Sequence, residues 1–354
     1  MFLILLACAP ALDSAPDSAG ADELAGRDLS CANPVAQVAY EEVGALWGLY
    51  DTSSSDPSRK EHSPVAFADL DGDGDDDVLL ADRDGGIWQH RNEGGTFATT
   101  QVSAATGLTT LALGDIDGDA DLDLFAAGKD RYLYLFENDA GSLSDVSVSA
   151  GLGDRGLDQA VRDGAFADYD NDGDADLYVT LTGNGETGEA SALDHLFRND
   201  EGVYTDVSEL ISAEARSGLG WQAVWFDIDR DEDLDLFVAN AEQSRFGPSR
   251  MVRNDGGSFV DITDTCACGE TGSNMGASAA DFDGDRWTDL FVTNTGPAHL
   301  LLNDHAGAFV DAALAMGATA VPSGEISGVT VTWPDGGEQE VAVAADTWVV
   351  VTRE

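Results

Sequence analysis

The sequence predicts an all-β protein, a β-propeller of four-stranded blades. Three observations carry that expectation. An acidic motif, D-x-D-x-D-x-x-x-D followed by apolar residues, recurs along the chain. An Asn-acid turn repeats in phase with it. Helical periodicity is nearly absent, with weak candidates only near Ala104 and Leu210.

The acidic motif has five copies: "AFADLDGDGDDDVLL" from Ala66, "ALGDIDGDADLDLFA" from Ala112, "AFADYDNDGDADLYV" from Ala165, "VWFDIDRDEDLDLFV" from Val224 and "SAADFDGDRWTDLFV" from Ser278. Their first aspartates are 46, 53, 59 and 54 residues apart. Periods of that size mark an array in which each unit is one supersecondary element. The second motif reads "HRNEGGTF", "FENDAGSL", "FRNDEGVY", "VRNDGGSF" and "LLNDHAGAF". Four copies run on into "SDVS", "TDVS", "VDIT" and "VDAA". An Asn-acid turn between apolar runs is a hairpin signal. Each unit therefore reads as four short strands, two around the acidic loop and two around the Asn turn. Four-stranded units at this period point to a propeller, with a solenoid of parallel strands as the alternative.

Both termini are candidates for closing the ring. "QVAYEEVGALWGL" near Gln37 resembles a fourth strand, and residues 326–354 read as three strands with a Pro-Asp-Gly-Gly turn. Together they are expected to complete a sixth blade. The expected domains are a signal segment with a lipobox (1–8), a flexible acidic linker (9–33), the propeller (34–315) and a C-terminal β segment (316–354).

The acidic loops carry the chemistry. A hard cation such as calcium takes six to eight oxygens, and a tight loop wraps it with alternate side chains. Loop positions 1, 3, 5 and 9 supply carboxylates and position 7 a backbone carbonyl. The candidate metal residues are Asp69, Asp71, Asp73, Asp75 and Asp77 in loop 1, and Asp115, Asp117, Asp119, Asp121 and Asp123 in loop 2. Loop 3 offers Asp168, Asp170, Asp172, Asp174 and Asp176; loop 4 offers Asp227, Asp229, Asp231, Asp233 and Asp235. Loop 5 offers Asp281, Asp283, Asp285, Trp287 and Asp289. Asp174 contributes its carbonyl, and its side chain is expected to face water. Position 12 is Leu80, Ala126, Val179, Val238 or Val292, so these are not EF-hands. Magnesium fits less well because it keeps its waters. Position 6 is Gly74 or Gly173 in loops 1 and 3, and Ala120, Glu232 or Arg286 elsewhere. A left-handed backbone there would cost the non-glycine residues about 1–2 kcal/mol. Up to five Ca²⁺ ions are expected.

Composition bounds the function. Acids outnumber bases 67 to 17, for a formal charge of -50. That argues against nucleic acid and anionic lipid as partners. It leaves cations, basic partners and neutral ligands. Five Ca²⁺ would still leave about -40 of that charge. The apolar run Phe2–Ala7 is too short to span a bilayer. Leu5-Leu6-Ala7-Cys8 resembles a bacterial lipobox, which predicts an exported lipoprotein on the outer membrane or cell surface, or a secreted form. Membrane contact is expected only through a lipid on Cys8, and the chain is expected to be a monomer. Cys31 is a candidate to pair with Cys266 or Cys268.

Catalytic patterns are sparse. His62, His90, His195, His299 and His305 form no H-x-H or H-E-x-x-H pattern. Gly151–Gly156 matches GxGxxG but opens no helix, and reads as a loop. No P-loop or G-x-S-x-G occurs. Most of the seven tryptophans fall in strands and are expected to pack between blades.

At these residues the repeats resemble the FG-GAP/VCBS repeats of calcium-binding β-propellers, as in integrin α-subunit heads. "GWQAVWFDIDRDEDLDLFVAN" and "GSNMGASAADFDGDRWTDLFVTN" resemble the cartilage acidic protein family, and "VTVTWPDGGEQEVAVAADTWVVVTRE" its ASPIC/UnbV segment. The resemblance implies an exported, non-enzymatic binding or adhesion module with a protein, matrix or glycan partner. A propeller lectin, or a polysaccharide lyase or hydrolase, is the alternative.

Overall fold

The computed structural model describes residues 64–82, 85–182, 193–241, 246–269 and 272–313, and the strands 329–332 and 338–341. The signal and lipobox with Cys8, the linker, the strand near Gln37, Cys31, Trp47, His62, Trp333 and Trp348 lie outside the described residues.

Each acidic repeat folds into one antiparallel four-stranded sheet. Blade 1 comprises β1 (Val65–Ala68), β2 (Asp77–Asp82), β3 (Gly86–Asn92) and β4 (Phe97–Ser103). Blade 2 comprises β5 (Leu108–Gly114), β6 (Asp123–Gly128), β7 (Leu133–Asp139) and β8 (Ser142–Asp145). Blade 3 comprises β9 (Ala160–Ala167), β10 (Asp176–Thr182), β11 (His195–Asp200) and β12 (Val203–Asp206). Blade 4 comprises β13 (Gly220–Phe226), β14 (Asp235–Asn240), β15 (Arg250–Asn254) and β16 (Phe259–Asp261). Blade 5 comprises β17 (Asn274–Ala280), β18 (Asp289–Asn294), β19 (His299–Asn303) and β20 (Phe309–Asp311). Strands follow chain order within every blade, as a meander. This is the propeller architecture that the repeats predict. A 3₁₀ turn at Ser208–Leu210 lies near the second weak helical candidate.

In blades 1 to 4 the second strand is the most buried. β6 and β14 (DLFAAG and DLFVAN) are buried at every position. They are covered on both faces by neighbouring blades, so they read as continuous apolar runs rather than alternating ones. The core is accordingly a series of inter-blade layers. Leu79 and Ile87 of blade 1 pack with Leu124 and Phe136 of blade 2. Phe125 and Leu135 meet Leu177 and Phe197. Tyr178 and Leu196 meet Leu236 and Val252. Phe237 and Met251 meet Leu290 and Leu301. First strands of successive blades pack side by side, β1 on β5, β5 on β9, β9 on β13 and β13 on β17. Trp225 packs across one such interface, edge-on to Tyr178.

The innermost strands also bond through side chains. Asp163 accepts from Thr110 Oγ1 at 3.1 Å and from the Ala223 amide at 3.1 Å. Gln222 Oε1 accepts from the Ala277 amide at 2.8 Å. The expected sixth blade is not seen among the described residues. There, β21 (Val329–Thr332) and β22 (Glu338–Val341) pair only with each other.

The expected pairing of Cys31 with Cys266 or Cys268 is corrected. Cys266 and Cys268 are bonded to each other, with Cα atoms 5.2 Å apart. Ala267 between them takes φ 53°, which turns both side chains inward, where both cysteines are fully buried. Gly151–Gly156 is a loop, as its sequence suggests, and its Arg155 donates to the Tyr204 carbonyl at 2.9 Å.

Candidate metal centres

All five acidic loops lie in the same place, between the first and second strands of a blade. Position 2 is a large apolar residue: Leu70, Ile116, Tyr169, Ile228 or Phe282. The first four are buried in the inter-blade layers. That anchor forces the flanking aspartates at positions 1 and 3 together on the outside.

The first aspartate organises the turn. Asp281 Oδ1 accepts from the Gly284 and Asp285 amides at 2.7 and 3.1 Å, and its Oδ2 from the Arg286 amide at 2.9 Å. Asp69, Asp115, Asp168 and Asp227 take equivalent bonds. Position 5 accepts from the amide of position 7, as in Asp73 from Asp75 (2.9 Å) and Asp172 from Asp174 (3.0 Å). Position 6 is left-handed in every loop, with φ 94° at Gly74, 75° at Ala120, 98° at Gly173, 76° at Glu232 and 76° at Arg286.

Position 9 opens the second strand and is wholly buried: Asp77, Asp123, Asp176, Asp235 and Asp289 are at most 1% exposed. One oxygen accepts from the position 2 amide and the other from the amide of the repeated Asn. For Asp235 these are Ile228 and Asn254, both at 2.7 Å. Burial pushes Asp123 up to about 6 and Asp176 and Asp235 up to about 7. The amide bonds oppose that rise, and the neighbouring aspartates add to it. Asp77 and Asp289 move in the same direction, mainly through burial.

Carboxylate oxygens converge in these loops. Asp115, Asp117 and Asp123 each place an oxygen within 4.8 Å of the others, as do Asp168, Asp170 and Asp176, and Asp227, Asp229 and Asp235. In loop 1 the converging group is Asp69, Asp71 and Asp73. The predicted ligands at positions 1, 3 and 9 thus meet in loops 2, 3 and 4, and those at 1, 3 and 5 in loop 1. These donors are all hard oxygens. In Asp71, Asp170 and Asp229 one carboxylate oxygen is buried and accepts no hydrogen bond. Such an orphaned acceptor is what a cation would satisfy, so the residues fit a metal ion.

Position 7 departs from expectation. The Asp174 side chain does not simply face water; its Oδ2 accepts from the Glu201 amide at 2.8 Å. Asp121 and Asp233 likewise hold the amides of Ala140 and Gly256. The reason is proximity, because the Asn-acid turn of the same blade folds over the acidic loop. In loop 5 this place is taken by Trp287, which stacks on His305 with centroids 4.9 Å apart. His305 also pairs with Asp285. The remaining histidines hold strands together: His195 pairs with Asp206, His299 with Asp311, and His90 bonds Thr99.

A further structural residue is the repeated asparagine, whose role the motif alone did not reveal. Its Nδ2 donates to the position 2 carbonyl of the preceding blade's loop: Asn138 to Leu70, Asn199 to Ile116, Asn254 to Tyr169 and Asn303 to Ile228, at 2.7–2.9 Å. The same group bonds the position 8 carbonyl of its own loop, as Asn254 does to Leu234. Its Oδ1 receives a turn amide, Gly257 for Asn254. One side chain therefore ties together its own turn, its own acidic loop and the loop of the blade before. Its signal in sequence is the asparagine shared by all five turn motifs.

The FG-GAP-like repeat profile matches residues 69–126, 115–179 and 227–292, together half of the chain. The chain belongs to the FG-GAP-like repeat family. No curated protein sequence matches it. Among solved structures it is similar to a lectin of Agrocybe aegerita, described as recognising non-reducing terminal N-acetylglucosamine. That match has 16% identity over 78% of this chain and 73% of the lectin, with a TM-score of 0.44. It is also similar to the V. cholerae biofilm matrix protein Bap1, at 16% identity over 69% of this chain and 38% of Bap1, with a TM-score of 0.39.

Proposed function

We propose that this chain is an exported, calcium-stabilised propeller that serves as a non-catalytic binding or adhesion module. The observation that carries the reading is the buried, unpartnered oxygen of Asp71, Asp170 and Asp229 within loops of converging carboxylates. All-oxygen donors without His or Cys favour a hard cation, and loops of this size suit calcium over magnesium. Bound calcium would neutralise the carboxylates at positions 1, 3, 5 and 9. The chain itself holds these groups in place through the position 1 and position 9 backbone bonds.

A site held at ten times its Kd adds about 1.4 kcal/mol to stability, so five would add roughly 7 kcal/mol. That is comparable to the whole stability of an ordinary domain. Metal binding would also relieve the local repulsion within the acidic loops of a chain of net charge -50. The buried acids outside the loops support a non-catalytic reading. Asp163 and Asp194 are both spent on amides and hydroxyls of the scaffold. The acidic surface favours a basic or neutral protein or matrix partner, reached from a lipid on Cys8 or after secretion.

Scanning calorimetry of the full chain with millimolar calcium and with EDTA tests the metal reading. Calcium should raise Tm by more than ten degrees, and an unchanged Tm refutes it. A glycan array and a polysaccharide panel on the calcium-loaded chain should both be blank. A specific hit on either moves the function to a lectin or to an enzyme.

A further inference from the structure

Resting on the calcium reading, we infer that Arg91, Arg198 and Arg253 are internal counter-cations that weaken metal binding in loops 1, 3 and 4, leaving loop 2 to fill first. Each arginine occupies the residue just before the repeated asparagine, in "HRN", "FRN" and "VRN". Their partners on the fourth strand, Ala98, Thr205 and Val260, share one register, so all three side chains start from the same point.

Arg91 and Arg253 reach the position 3 aspartate of their own blade, and Arg198 acts on Asp170 from the same register through charge alone. Arg91 Nε lies 3.7 Å from Asp71 Oδ2, and Arg253 Nε 3.9 Å from Asp229 Oδ2. Burial and the neighbouring aspartates raise the Asp170 carboxyl, and the charge of Arg198 opposes that rise while its guanidinium bonds Asp200 Oδ2 at 2.9 Å. The two distances are ion-pair contacts too long for hydrogen bonds, and the Nε atoms of Arg91 and Arg253 are buried without a hydrogen-bond partner. The guanidinium therefore supplies charge without occupying the carboxylate.

The position 3 aspartates divide along a similar line, although Asp170 also feels the amide of Asp172. In the three arginine blades one oxygen of Asp71, Asp170 or Asp229 is buried and unpartnered. In the other two, Asp117 and Asp283 bond the amides of Asp119 and Asp285 within their own loops. In blade 2 the arginine register holds Glu137, opposite Ser144. The charges acting on Asp117 and Asp123 are those of other carboxylates. Blade 5 is intermediate, with Leu302 in that register and His305 paired with Asp285.

A divalent ion drawn to position 3 meets a guanidinium in loops 1, 3 and 4, shared in loops 3 and 4 with Asp200 and Asp255 at 2.9 Å, and only negative charge in loop 2. Screened by nearby water, one such charge is expected to weaken binding about tenfold. The three arginines are roughly 40% exposed, which places them in that screened regime.

Calorimetric titration of calcium into the metal-stripped full chain tests this. The unaltered chain should show a tight phase of one or two ions, then a weaker phase of three. Glu137→Arg, an exposed change, should remove one equivalent from the tight phase. The triple replacement of Arg91, Arg198 and Arg253 by Met should tighten the weaker phase about tenfold. Replacement of the same three by Lys, which keeps the charge, should titrate like the unaltered chain. If the Lys and Met forms tighten alike, or Glu137→Arg leaves the tight phase intact, the inference is overturned. If the unaltered chain takes up no calcium at all, the metal reading falls first, a different result from equal titration of all variants.

Discussion

At the scale of the residue, two buried side chains decide more than their exposed neighbours. Asp194 is wholly buried and bonds the Leu181 amide and the Tyr178 hydroxyl, and burial pushes it up to about 7. The unfolded chain releases that proton near pH 4, and the folded chain only near 7. Between those values the unfolded state binds fewer protons, so this group's contribution to stability falls as pH rises. Asp194→Asn is therefore expected to lose less Tm than the unaltered chain between pH 5 and pH 8, measured in EDTA so that metal uptake does not intervene. Asn254 bonds two carbonyls and one turn amide from a fully buried position. Asn254→Ala orphans those groups and should cost about 2–4 kcal/mol in urea unfolding. Its presence was legible in "VRNDGG", but its purpose was not. Its partner Tyr169 lies 85 residues earlier, on another blade, and no local pattern encodes that distance.

At the scale of the element, the acidic loop was the most legible part of the molecule. Alternating carboxylates, one apolar residue between the first two and an apolar run afterwards define its ends. The structure brings the predicted aspartates at positions 1, 3 and 9 together in loops 2, 3 and 4. The sequence did not reveal that position 9 fastens the loop to the backbone, or that position 7 clasps the Asn turn. Both depend on how β3 and its counterparts return over the loop, a tertiary event. Position 6 offers a clean test of loop strain. Ala120 is exposed at φ 75°, where a side chain is disfavoured. Ala120→Gly should stabilise the protein by roughly 0.5–1 kcal/mol by thermal unfolding, against the usual cost of adding glycine. A loss of stability would show that this backbone carries no strain.

At the scale of the whole molecule, five blades were countable in the sequence because each repeats the same local grammar. The path of the ring was not, since closure depends on residues beyond that grammar. The disulfide was missed for a related reason. Cys266 and Cys268 sit two residues apart, and only the turn at Ala267 makes them partners. The Asn bond between blades has a consequence of its own. It always runs backwards, from a turn to the loop of the blade before it. The array is therefore a polymer with a head and a tail. Asn92 presents the donor at one end and the Phe282 carbonyl the acceptor at the other, with no counterpart among the described residues. Any unit carrying the same two motifs would dock at either end without inventing a contact. An architecture built this way lengthens or shortens by whole words, and duplication of a single repeat brings its own joinery with it.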